Sequence, residues 1–334
     1  MPLLRYRELD SWDRLVREDI EITEQIADTS PLQVGFLNMM PDRALRATER
    51  QFYRLLAAGA EDIVVQIHPF SIEGLPRSTN ELDYVSKAYV TFDEITKIKL
   101  DGLVLTGANP GKFEITAEKF WPYFEEVVYW ANENVPTILC SCLASHAILK
   151  IFHGIERIRC QPDKRWGVFS HRLTQTGHPL MVDMPEQYEE PRSHVFEMTA
   201  EQMEPHGVQV LASSSDADFG IAVSEDGGRW VFLQGHPEYD SVSLLKEYKR
   251  EINRFRLGER SNYPDYPLNY FPDSAKQSLE KHRADFLLAL EQGSNLPELP
   301  ESEILPLIDN PWRAHAELLY RNWLRTVINE REKN

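Results

Sequence analysis

The stretch PTILCSCLASHAILKIF, residues 136–152, joins a short apolar run to a helical pattern and places Cys142 at the junction. The run up to Cys140 has the length and composition of a buried strand, and apolar residues recur at helical spacing after Cys142. A sharp strand-to-helix turn presents a nucleophile above a sheet edge, provided that the flanking residues are small. Cys140 and Ala144 meet that requirement. The stretch therefore predicts a nucleophile elbow in an α/β fold.

The same alternation of strand and helix extends toward the N-terminus. Apolar runs predict buried strands, and amphipathic patterns between them predict helices. The predicted strands are 32–37, 63–67, 103–105 and 137–140, and the predicted helices are 48–58, 92–99 and 117–133. This order is typical of a mostly parallel sheet with helices on both faces.

Beyond Gly154 the apolar runs become shorter. Segments 167–171, 208–212, 220–223 and 230–233 predict short strands that are compatible with antiparallel pairing. Helices are predicted at 241–255, with Asp240 or Ser241 as N-cap, and at 275–292 and 312–328. The simplest organisation is an N-terminal extension (1–30), an α/β core (31–258) and a C-terminal loop with helices (259–334), packed as a single functional unit.

The bulk composition restricts the class of protein. Of the 334 residues, 42% are hydrophobic and 27% are charged, which is typical of a globular chain. The net charge of -17 argues against binding to nucleic acid or to an anionic membrane. The charged N-terminal residues do not have the pattern of a signal peptide, and no apolar run has the length of a membrane span. Free thiols are expected at Cys140, Cys142 and Cys160, and these features together predict a cytoplasmic protein.

A second motif with catalytic residue types follows the predicted strand at 230–233. In WVFLQGHPEYD, residues 230–240, His236 could act as general base and Glu238 could orient its imidazole. Taken alone, a strand-end cysteine is more often a small core residue, and a loop histidine or glutamate usually faces solvent. Together, the two strand ends predict a Cys142–His236–Glu238 triad. Backbone N–H groups at the elbow, including that of Leu143, would hold the oxyanion.

Seven segments spread over the chain carry a resemblance to a known family. They are VGFLNMMP (34–41), QFYRLL (51–56), DGLVLTGA (101–108), the Cys142 elbow, FLQGHPEYD (232–240), LNYFP (268–272) and WRAHAELLYRNWL (312–324). With these motifs the chain resembles the homoserine O-succinyltransferase family. The resemblance implies a flavodoxin-like core of the class I glutamine amidotransferase type. It also implies a ping-pong transfer of succinyl from succinyl-CoA to L-homoserine, within methionine biosynthesis.

The resemblance implies roles for individual residues. Cys142 would carry the acyl thioester, while His236, partnered by Glu238, would accept the proton of the hydroxyl. Lys164 and Ser193 match substrate-binding positions of the family. Arg250 matches its substrate-binding arginine, whose guanidinium is suited to grip a carboxylate.

Gly111 falls where the family's acyl preference is set. In this resemblance a glycine leaves room for succinyl, whereas a glutamate favours acetyl because it would block and repel the second carboxylate of succinate. The alternative is that Gly111 merely serves a turn after Pro110, since glycine suits sharp backbone bends.

The chain also departs from the family's pattern. The segment MPDRALRATERQ is longer than usual, so that a functional lysine lacks a clean counterpart, and neither Arg43 nor Arg46 is assigned to its role. The elbow carries Leu143 and His146 where many relatives have an aromatic residue and a glutamine. A basic cluster comprises Arg157, Arg159, Lys164 and Arg165. It could attract the phosphates of coenzyme A, or it could form a solvated, salt-bridged surface.

Other functions stay open at this stage. The scaffold could use acetyl-CoA or serine instead, because one methylene is worth only about 1–3 kcal/mol of discrimination. A glutaminase-type amidotransferase would share the triad, and a sensor or binding protein would have lost the chemistry. No permanently bound cofactor is expected, and no metal, because the histidines lack the spacing of zinc ligands. The resemblance suggests a homodimer.

Overall fold

Apolar runs of the sequence form the central strands of a large sheet, and helices cover both of its faces. The structure, a computed structural model, describes residues 3–24, 30–161 and 164–333. The predicted N-terminal extension therefore lies partly outside the described residues, at 1–2 and 25–29.

The strands are short, as is usual in globular proteins. Within the described ranges they are β1 (Leu3–Leu4), β2 (Ile22–Thr23), β3 (Leu32–Leu37), β4 (Val65–Phe70), β5 (Gly102–Leu105), β6 (Ile138–Ser141), β7 (Ile158–Arg159), β8 (Arg165–Leu173), β9 (Gln187–His194), β10 (Phe196–Glu197), β11 (Gln209–Ser214), β12 (Asp218–Val223) and β13 (Trp230–Leu233).

Eleven of these strands form one sheet in the order β2-β1-β4-β3-β5-β6-β13-β12-β11-β8-β9. Neighbours from β2 to β13 are parallel. Neighbours from β13 to β9 are antiparallel. β7 and β10 form a separate antiparallel pair. The sheet is therefore mostly parallel, with an antiparallel extension on one side.

The helices range from single turns to long amphipathic segments. Within the described ranges they are α1 (Trp12–Arg17), α2 (Asp42–Gly59), α3 (Thr79–Ala88), α4 (Phe92–Ile95), α5 (Trp121–Asn134), α6 (Leu143–His153), α7 (Ala200–Met203), α8 (Ser243–Arg256), α9 (Asp273–Gln292), α10 (Glu301–Ile304) and α11 (Arg313–Lys333). None of these helices combines the length and the apolar character that crossing a bilayer would require.

Alternate residues of the parallel strands point to opposite faces of the sheet. Val34 and Phe36 of β3 belong to a core cluster with residues of α2 and α11. Leu37 of β3 belongs to a second cluster with residues of α5 and α6. Both faces of the parallel strands are thus buried, which explains why these strands read as continuous apolar runs. A third cluster joins α8 to α9 and to Trp312 at the start of the last helical segment.

The structure confirms the α/β class, the mostly parallel sheet with helices on both faces and the C-terminal helical additions. The predicted strands at 32–37 and 230–233 have the observed bounds. The predicted helix at 92–99 is only the short α4, and the observed α2 begins before the predicted one. The sequence predictions do not include the strands β1, β2, β7, β9 and β10 or the helices α1, α3, α7 and α10.

The N-terminal extension and the C-terminal helices both pack against the α/β core. β1 and β2 of the N-terminal extension extend the main sheet beside β4. The C-terminal α11 packs on α2 and contributes Leu319, Tyr320 and Trp323 to the core.

Candidate active site

Cys142 lies in a sharp turn between β6 and α6. Its backbone dihedrals are φ 51° and ψ -108°, a conformation rarely adopted by non-glycine residues. The Cys142 N–H donates to the carbonyl of Leu233 at 2.7 Å, which ties the turn to the end of β13. Both small neighbours that the elbow requires, Cys140 and Ala144, are fully buried. The geometry matches the predicted strand-to-helix elbow.

His236 reaches Cys142 because β13 is the parallel neighbour of β6 in the sheet. Leu233 is paired with Ser141, so the residues that follow the two strands emerge at the same sheet edge. His236 Nδ1 lies 2.8 Å from Glu238 Oε1, and both side chains are buried. The other ring nitrogen is left for the Cys142 thiol, with which His236 shares a hydrogen bond. The three predicted triad residues therefore come together.

The electrostatics of this group favour a charged imidazole. Burial alone would lower the pKa of His236, but the Glu238 carboxylate and the Cys142 thiolate outweigh it and raise the pKa well above its usual value. Two negative partners thus stabilise the imidazolium.

Glu190 on β9 is a buried carboxylate that sequence reasoning missed. It lies behind residues 234–240, the loop that carries the predicted base His236 and that we call the base loop. A side chain at Gly235 would collide with Glu190, which explains why glycine precedes His236. Burial raises the pKa of Glu190 to about 7, against the charges of Arg192 and His236. The Glu190 carboxyl group therefore changes charge near neutral pH, within the electrostatic reach of the base.

Glu247 on α8 is a second residue that was missed. Its carboxylate accepts hydrogen bonds from the Ser193 hydroxyl, from Lys164 Nζ at 3.1 Å and from the Tyr239 hydroxyl at 2.8 Å. Arg250 Nη2 lies 3.7 Å from the same carboxylate. Burial would raise the pKa of Glu247, but Lys164 and the other partners lower it overall, so the carboxylate stays charged. The three predicted substrate-binding residues are therefore held together by one acid.

The contacts of Lys164 fix its position. Its ammonium group lies 4.3 Å from the centre of the Trp166 ring, in addition to the Glu247 ion pair. Burial lowers the pKa of Lys164, opposed by the charge of Glu247. No sequence signal marked Glu247, because an acidic residue on an amphipathic helix is normally solvated.

Two cavities meet at Cys142. The first, which we call the wide cavity, has a volume of about 340 Å³ and includes Cys142, His236 and Glu238 in its lining. The second, the narrow cavity, has a volume of about 220 Å³. Arg250 lines both. The other charged residues around them are Arg43, Lys246 and Glu247 in the wide cavity, and Arg157, Lys164, Glu251 and Arg254 in the narrow one.

The predicted oxyanion donor, Leu143, is the first residue of α6. Its N–H belongs to the first turn of the helix, where no intrahelical acceptor exists. Gly107, in the loop after β5, faces it: a Cβ at Gly107 would lie 3.6 Å from Cys142 Cβ and 3.9 Å from the Leu143 nitrogen. Glycine at 107 therefore keeps open the space in front of this N–H. The TGA motif was the sequence signal for Gly107, although no role was inferred for it.

Gly111 lies beside the site, and the lining of neither cavity, as bounded by the described residues, includes it. Its backbone does not require glycine, because its φ is outside the left-handed region. A Cβ there would meet only Glu118 Oε1, at 4.0 Å. The turn alternative is thereby weakened, since a larger side chain fits. The following residues, Lys112 and Phe113, accept hydrogen bonds from Arg157 through their carbonyls.

The base loop is anchored by buried arginines. Asp240 accepts hydrogen bonds from Arg50 and from Arg54 Nη1, the latter at 2.7 Å. Both guanidiniums also contact Glu18 beyond α1. The predicted N-cap role of Asp240 or Ser241 is therefore wrong: α8 begins at Ser243, and the Asp240 carboxylate is committed to the arginines.

Three residues at departures from the family's pattern have clear environments. Arg46 bonds to Asp10 at 2.5 Å and to Glu81, so it is held away from the site. Arg43 is exposed and lines the wide cavity. His146 Nε2 lies 2.6 Å from Gln234 Oε1, and burial lowers the pKa of His146 to about 4.

The basic cluster of the sequence does not form one patch. Arg157 bonds to carbonyls near Gly111, Lys164 pairs with Glu247, and Arg165 pairs with Glu197. Two of its members, Arg157 and Lys164, line the narrow cavity.

One group of possible metal ligands had no sequence signal. Cys160, His194 and Glu197 are buried, with their ligand atoms within 4.8 Å of one another. Arg165 already donates to Glu197 at 3.2 Å. Burial raises the pKa of Cys160 to about 12, which keeps the thiol protonated. The group is held by an internal cation rather than arranged as an open coordination site.

Comparison with known proteins gives a consistent assignment. A sequence model of the homoserine O-succinyltransferase family matches residues 2–333. The homoserine O-succinyltransferase of Methylobacter tundripaludum is 46% identical over 98% of this chain and 93% of that protein. That of Nitrosococcus oceani is 43% identical over 98% of this chain and 92% of its own length.

Solved structures that resemble the fold include two amidotransferases. A glutamine amidotransferase from Thermotoga maritima aligns over 90% of this chain and 99% of its own, at 16% identity and a TM-score of 0.47. One from Methylobacillus flagellatus aligns over 88% and 94%, at 14% identity and a TM-score of 0.48. Neither similarity bears on activity. The family match spans nearly the whole sequence, and the chain belongs to the homoserine O-succinyltransferase family.

Proposed function

We propose that this chain transfers a succinyl group from succinyl-CoA to the hydroxyl of L-homoserine through a thioester on Cys142, as a step of methionine biosynthesis. The observation that carries the proposal is the position of Cys142, in contact with the His236–Glu238 pair where two cavities meet. Membership of the family supports the substrate pair. Succinyl-CoA acts as co-substrate, and no permanently bound cofactor takes part.

In the first half-reaction the Cys142 thiolate attacks the thioester carbonyl of succinyl-CoA. The new bond joins Cys142 Sγ to the acyl carbon, and the Leu143 N–H, at the start of α6, donates to the oxyanion. When the tetrahedral intermediate collapses, the bond to the coenzyme A sulfur breaks. The His236 imidazolium supplies the proton that leaves with coenzyme A, so His236 becomes neutral.

In the second half-reaction neutral His236 accepts the hydroxyl proton of homoserine as its oxygen attacks the acyl carbon. The C–S bond to Cys142 breaks, O-succinylhomoserine forms, and the thiolate–imidazolium pair is restored. Acylation prepares this step, because it removes one of the two charges that raise the pKa of His236. Glu238 holds Nδ1 and thereby keeps Nε2 directed at the reacting atoms.

The binding roles follow from the positive groups along the cavities. Arg250 lines both cavities and is only partly neutralised by Glu247 and Glu251, so we assign it to the homoserine carboxylate. Lys164 and Ser193, which both bond to Glu247, line the narrow cavity. We assign them to contacts with the acyl donor. Gly111 sets the acyl preference through the loop beside the narrow cavity.

The assay is release of coenzyme A by purified protein, with succinyl-CoA or acetyl-CoA as donor and homoserine, serine or no acceptor. Fast release that requires both succinyl-CoA and homoserine is the expected result. Preference for acetyl-CoA or serine would replace the substrate and keep the mechanism. No release with any pair, together with hydrolysis of glutamine, would move the chain to the glutaminase chemistry.

The covalent step is tested separately by mass spectrometry of the intact protein after mixing with succinyl-CoA alone. The wild-type chain is expected to gain the mass of one succinyl group. Cys142→Ala is expected to gain none, and His236→Ala to retain the group for longer once homoserine is added. A Cys142→Ala protein with near-full turnover would exclude the thioester.

Three further properties belong to the same proposal. The free thiols of Cys140, Cys142 and Cys160 support a cytoplasmic location. The three predicted segments act as one functional unit, supported by the packing of α11 on α2. A homodimer is expected from the family resemblance, and light scattering of the purified protein measures it.

A further inference from the structure

Arg157 is a buried cation without an acidic partner. Only 8% of the residue is exposed, and no carboxylate of the described chain lies within ion-pair distance of its guanidinium. Nη2 donates to the carbonyl oxygens of Lys112 at 2.9 Å and Phe113 at 2.5 Å. Nε and Nη1 have no hydrogen-bond partner among the described residues. A desolvated charge with unused donors is costly unless something else uses them.

The guanidinium is fixed in place. The two carbonyls hold one end of it, and the Phe196 ring lies beneath it, 3.9 Å from the guanidinium carbon to the ring centre. Burial lowers the pKa of Arg157, while Glu118, Glu114 and the Cys142 thiolate oppose the change. A rigid guanidinium of this kind is preorganised for an anion, because little side-chain entropy is lost when the anion binds.

The position of Arg157 points to a particular anion. Arg157 lines the narrow cavity together with Cys142 and Leu143. The other cations of that cavity are already paired: Lys164 with Glu247, Arg250 with Glu247 and Glu251, and Arg254 with Glu251. His146, also in the lining, has a pKa lowered to about 4 and is therefore neutral. Among the described cations that line this cavity, Arg157 is the one without a carboxylate within ion-pair distance.

We propose that Arg157 binds the distal carboxylate of the succinyl group and thereby selects succinyl-CoA over donors without a second carboxylate. The inference rests on the proposed function, since it takes the thioester on Cys142 as given. A succinyl group on Sγ extends its four-carbon chain into the narrow cavity, and Nη1 of Arg157 donates to the terminal carboxylate. Acetyl lacks this group and leaves the guanidinium uncompensated, which disfavours it.

The same geometry connects Gly111 to the acyl preference. Gly111 directly precedes Lys112, whose carbonyl holds Arg157. A side chain at 111 fits sterically, because the nearest atom to its Cβ would be Glu118 Oε1 at 4.0 Å. An acidic side chain at 111 could therefore compensate Arg157 from within the protein, and the succinyl carboxylate would lose its partner.

The test compares kcat/KM for succinyl-CoA and acetyl-CoA, with homoserine as acceptor, in Arg157→Met and Arg157→Lys. Arg157→Met is expected to lower the value for succinyl-CoA by about 100-fold and to change that for acetyl-CoA by less than about threefold. Arg157→Lys is expected to keep an intermediate preference, because it retains the charge but not the planar donor geometry. The ratio of the two values does not depend on the fraction of folded enzyme.

Arg254→Met is the matched control, because Arg254 lines the same cavity but is paired with Glu251. It is expected to affect both donors by the same factor and to leave their ratio unchanged. Equal losses with both donors in Arg157→Met would assign Arg157 to the loop structure and overturn the inference. Wild-type protein that does not use succinyl-CoA would instead refute the proposed function, so the two failures are distinguishable.

Discussion

The imidazole of His236 and the phenol ring of Tyr239 are stacked, with centroids 4.4 Å apart and an interplanar angle of 13°. The Tyr239 hydroxyl donates to Glu247 at 2.8 Å, and the Tyr239 carbonyl accepts a hydrogen bond from Trp312. The base therefore rests on a ring that is itself fixed from two sides. This contact connects the triad to the carboxylate that holds Lys164 and Ser193.

Removing the ring of Tyr239 should impair positioning of the base. Tyr239→Ala is expected to lower kcat by about 100-fold, the size of effect produced by a misplaced catalytic group. Tyr239→Phe keeps the stack and loses only the hydroxyl, so its kcat should remain within about threefold of the wild-type value. The pH profile of kcat should change for the alanine variant only. Equal kcat values for the two variants would contradict a role for the stack.

The charge state of His236 should depend on Cys142. The thiolate is one of the two negative groups that raise the pKa of His236, so its removal should favour the neutral imidazole. In Cys142→Ala the titration midpoint of His236 should move to lower pH, by about one pH unit or more. NMR of labelled histidine measures it. Glu238→Gln should move the midpoint in the same direction. Cys160→Ala should leave it in place, because Cys160 is not among the groups that shift the pKa of His236.

A methyl group at position 107 should interfere with the oxyanion site while leaving the fold intact. The added Cβ would lie 3.6 Å from Cys142 Cβ, an ordinary contact distance, but 3.9 Å from the Leu143 nitrogen. Gly107→Ala should lower kcat by about 100-fold, as does the loss of one oxyanion donor. Its melting temperature should match that of Gly177→Ala, where a Cβ meets nothing within 4 Å. A fully active Gly107→Ala enzyme would exclude an oxyanion at this place.

A carboxylate at position 111 should change the choice of acyl donor. Gly111→Glu is expected to lower kcat/KM for succinyl-CoA by at least about tenfold relative to acetyl-CoA. Gly111→Gln, of similar size and uncharged, should have a smaller effect if charge is the cause. In an Arg157→Met background the glutamate should have no further effect on the ratio. An unchanged ratio in the single variant would refute the role of Gly111.

The anchor of the base loop should be important for stability. Asp240→Asn removes the more buried of the two carboxylates that Arg50 and Arg54 share, and leaves these arginines, each less than a tenth exposed, with Glu18 alone. The free energy of unfolding should fall by about 3 kcal/mol, as is usual when one partner of a buried ion pair is lost. Asp273→Asn, which removes an exposed pair with Lys276, should leave stability unchanged. Urea unfolding at pH 7 measures both.

The pH dependence of that difference has a defined sign. Burial raises the pKa of Asp240, but Arg50 and Arg54 lower it overall. The stabilisation is therefore present above the unfolded-state pKa of about 3.9 and is lost as the pH falls through the lower folded-state value. Wild type and Asp240→Asn should converge in strong acid. A constant difference there would show that the arginine contacts do not depend on the charge of Asp240.

Local sequence patterns predicted those strands and helices whose buried residues are apolar. The runs at β3, β6 and β13 were identified because both of their faces are buried, and the elbow followed from the small residues around Cys142. β9 was not predicted because its buried residues include the charged Glu190 and Arg192, so the strand has no apolar pattern. As an edge strand it also tolerates a proline at 191.

The site was predictable only where a residue's chemistry is visible in its immediate neighbourhood. Cys142, His236 and Glu238 follow the carboxyl ends of predicted strands, and ligand sites of α/β sheets form at that edge. Glu247 and Arg157 acquire their importance from partners far away in sequence, such as Lys164 for the first and the carbonyl of Lys112 for the second. Neither residue type nor spacing encodes those contacts.

The anchoring of the base loop has a practical consequence for anyone who shortens or tags this enzyme. Glu18 near the start of the chain pairs with the arginines that bind Asp240, and Trp312 near its end donates to the Tyr239 carbonyl, so both ends of the chain support the segment that carries His236. Truncation at either end should therefore reduce catalytic activity before it unfolds the sheet. A fragment from the middle of the sequence should not be active on its own. Purification tags are best attached through long spacers. After limited proteolysis the catalytic activity should be measured along with the fragment pattern, because loss of a terminal segment should affect activity first.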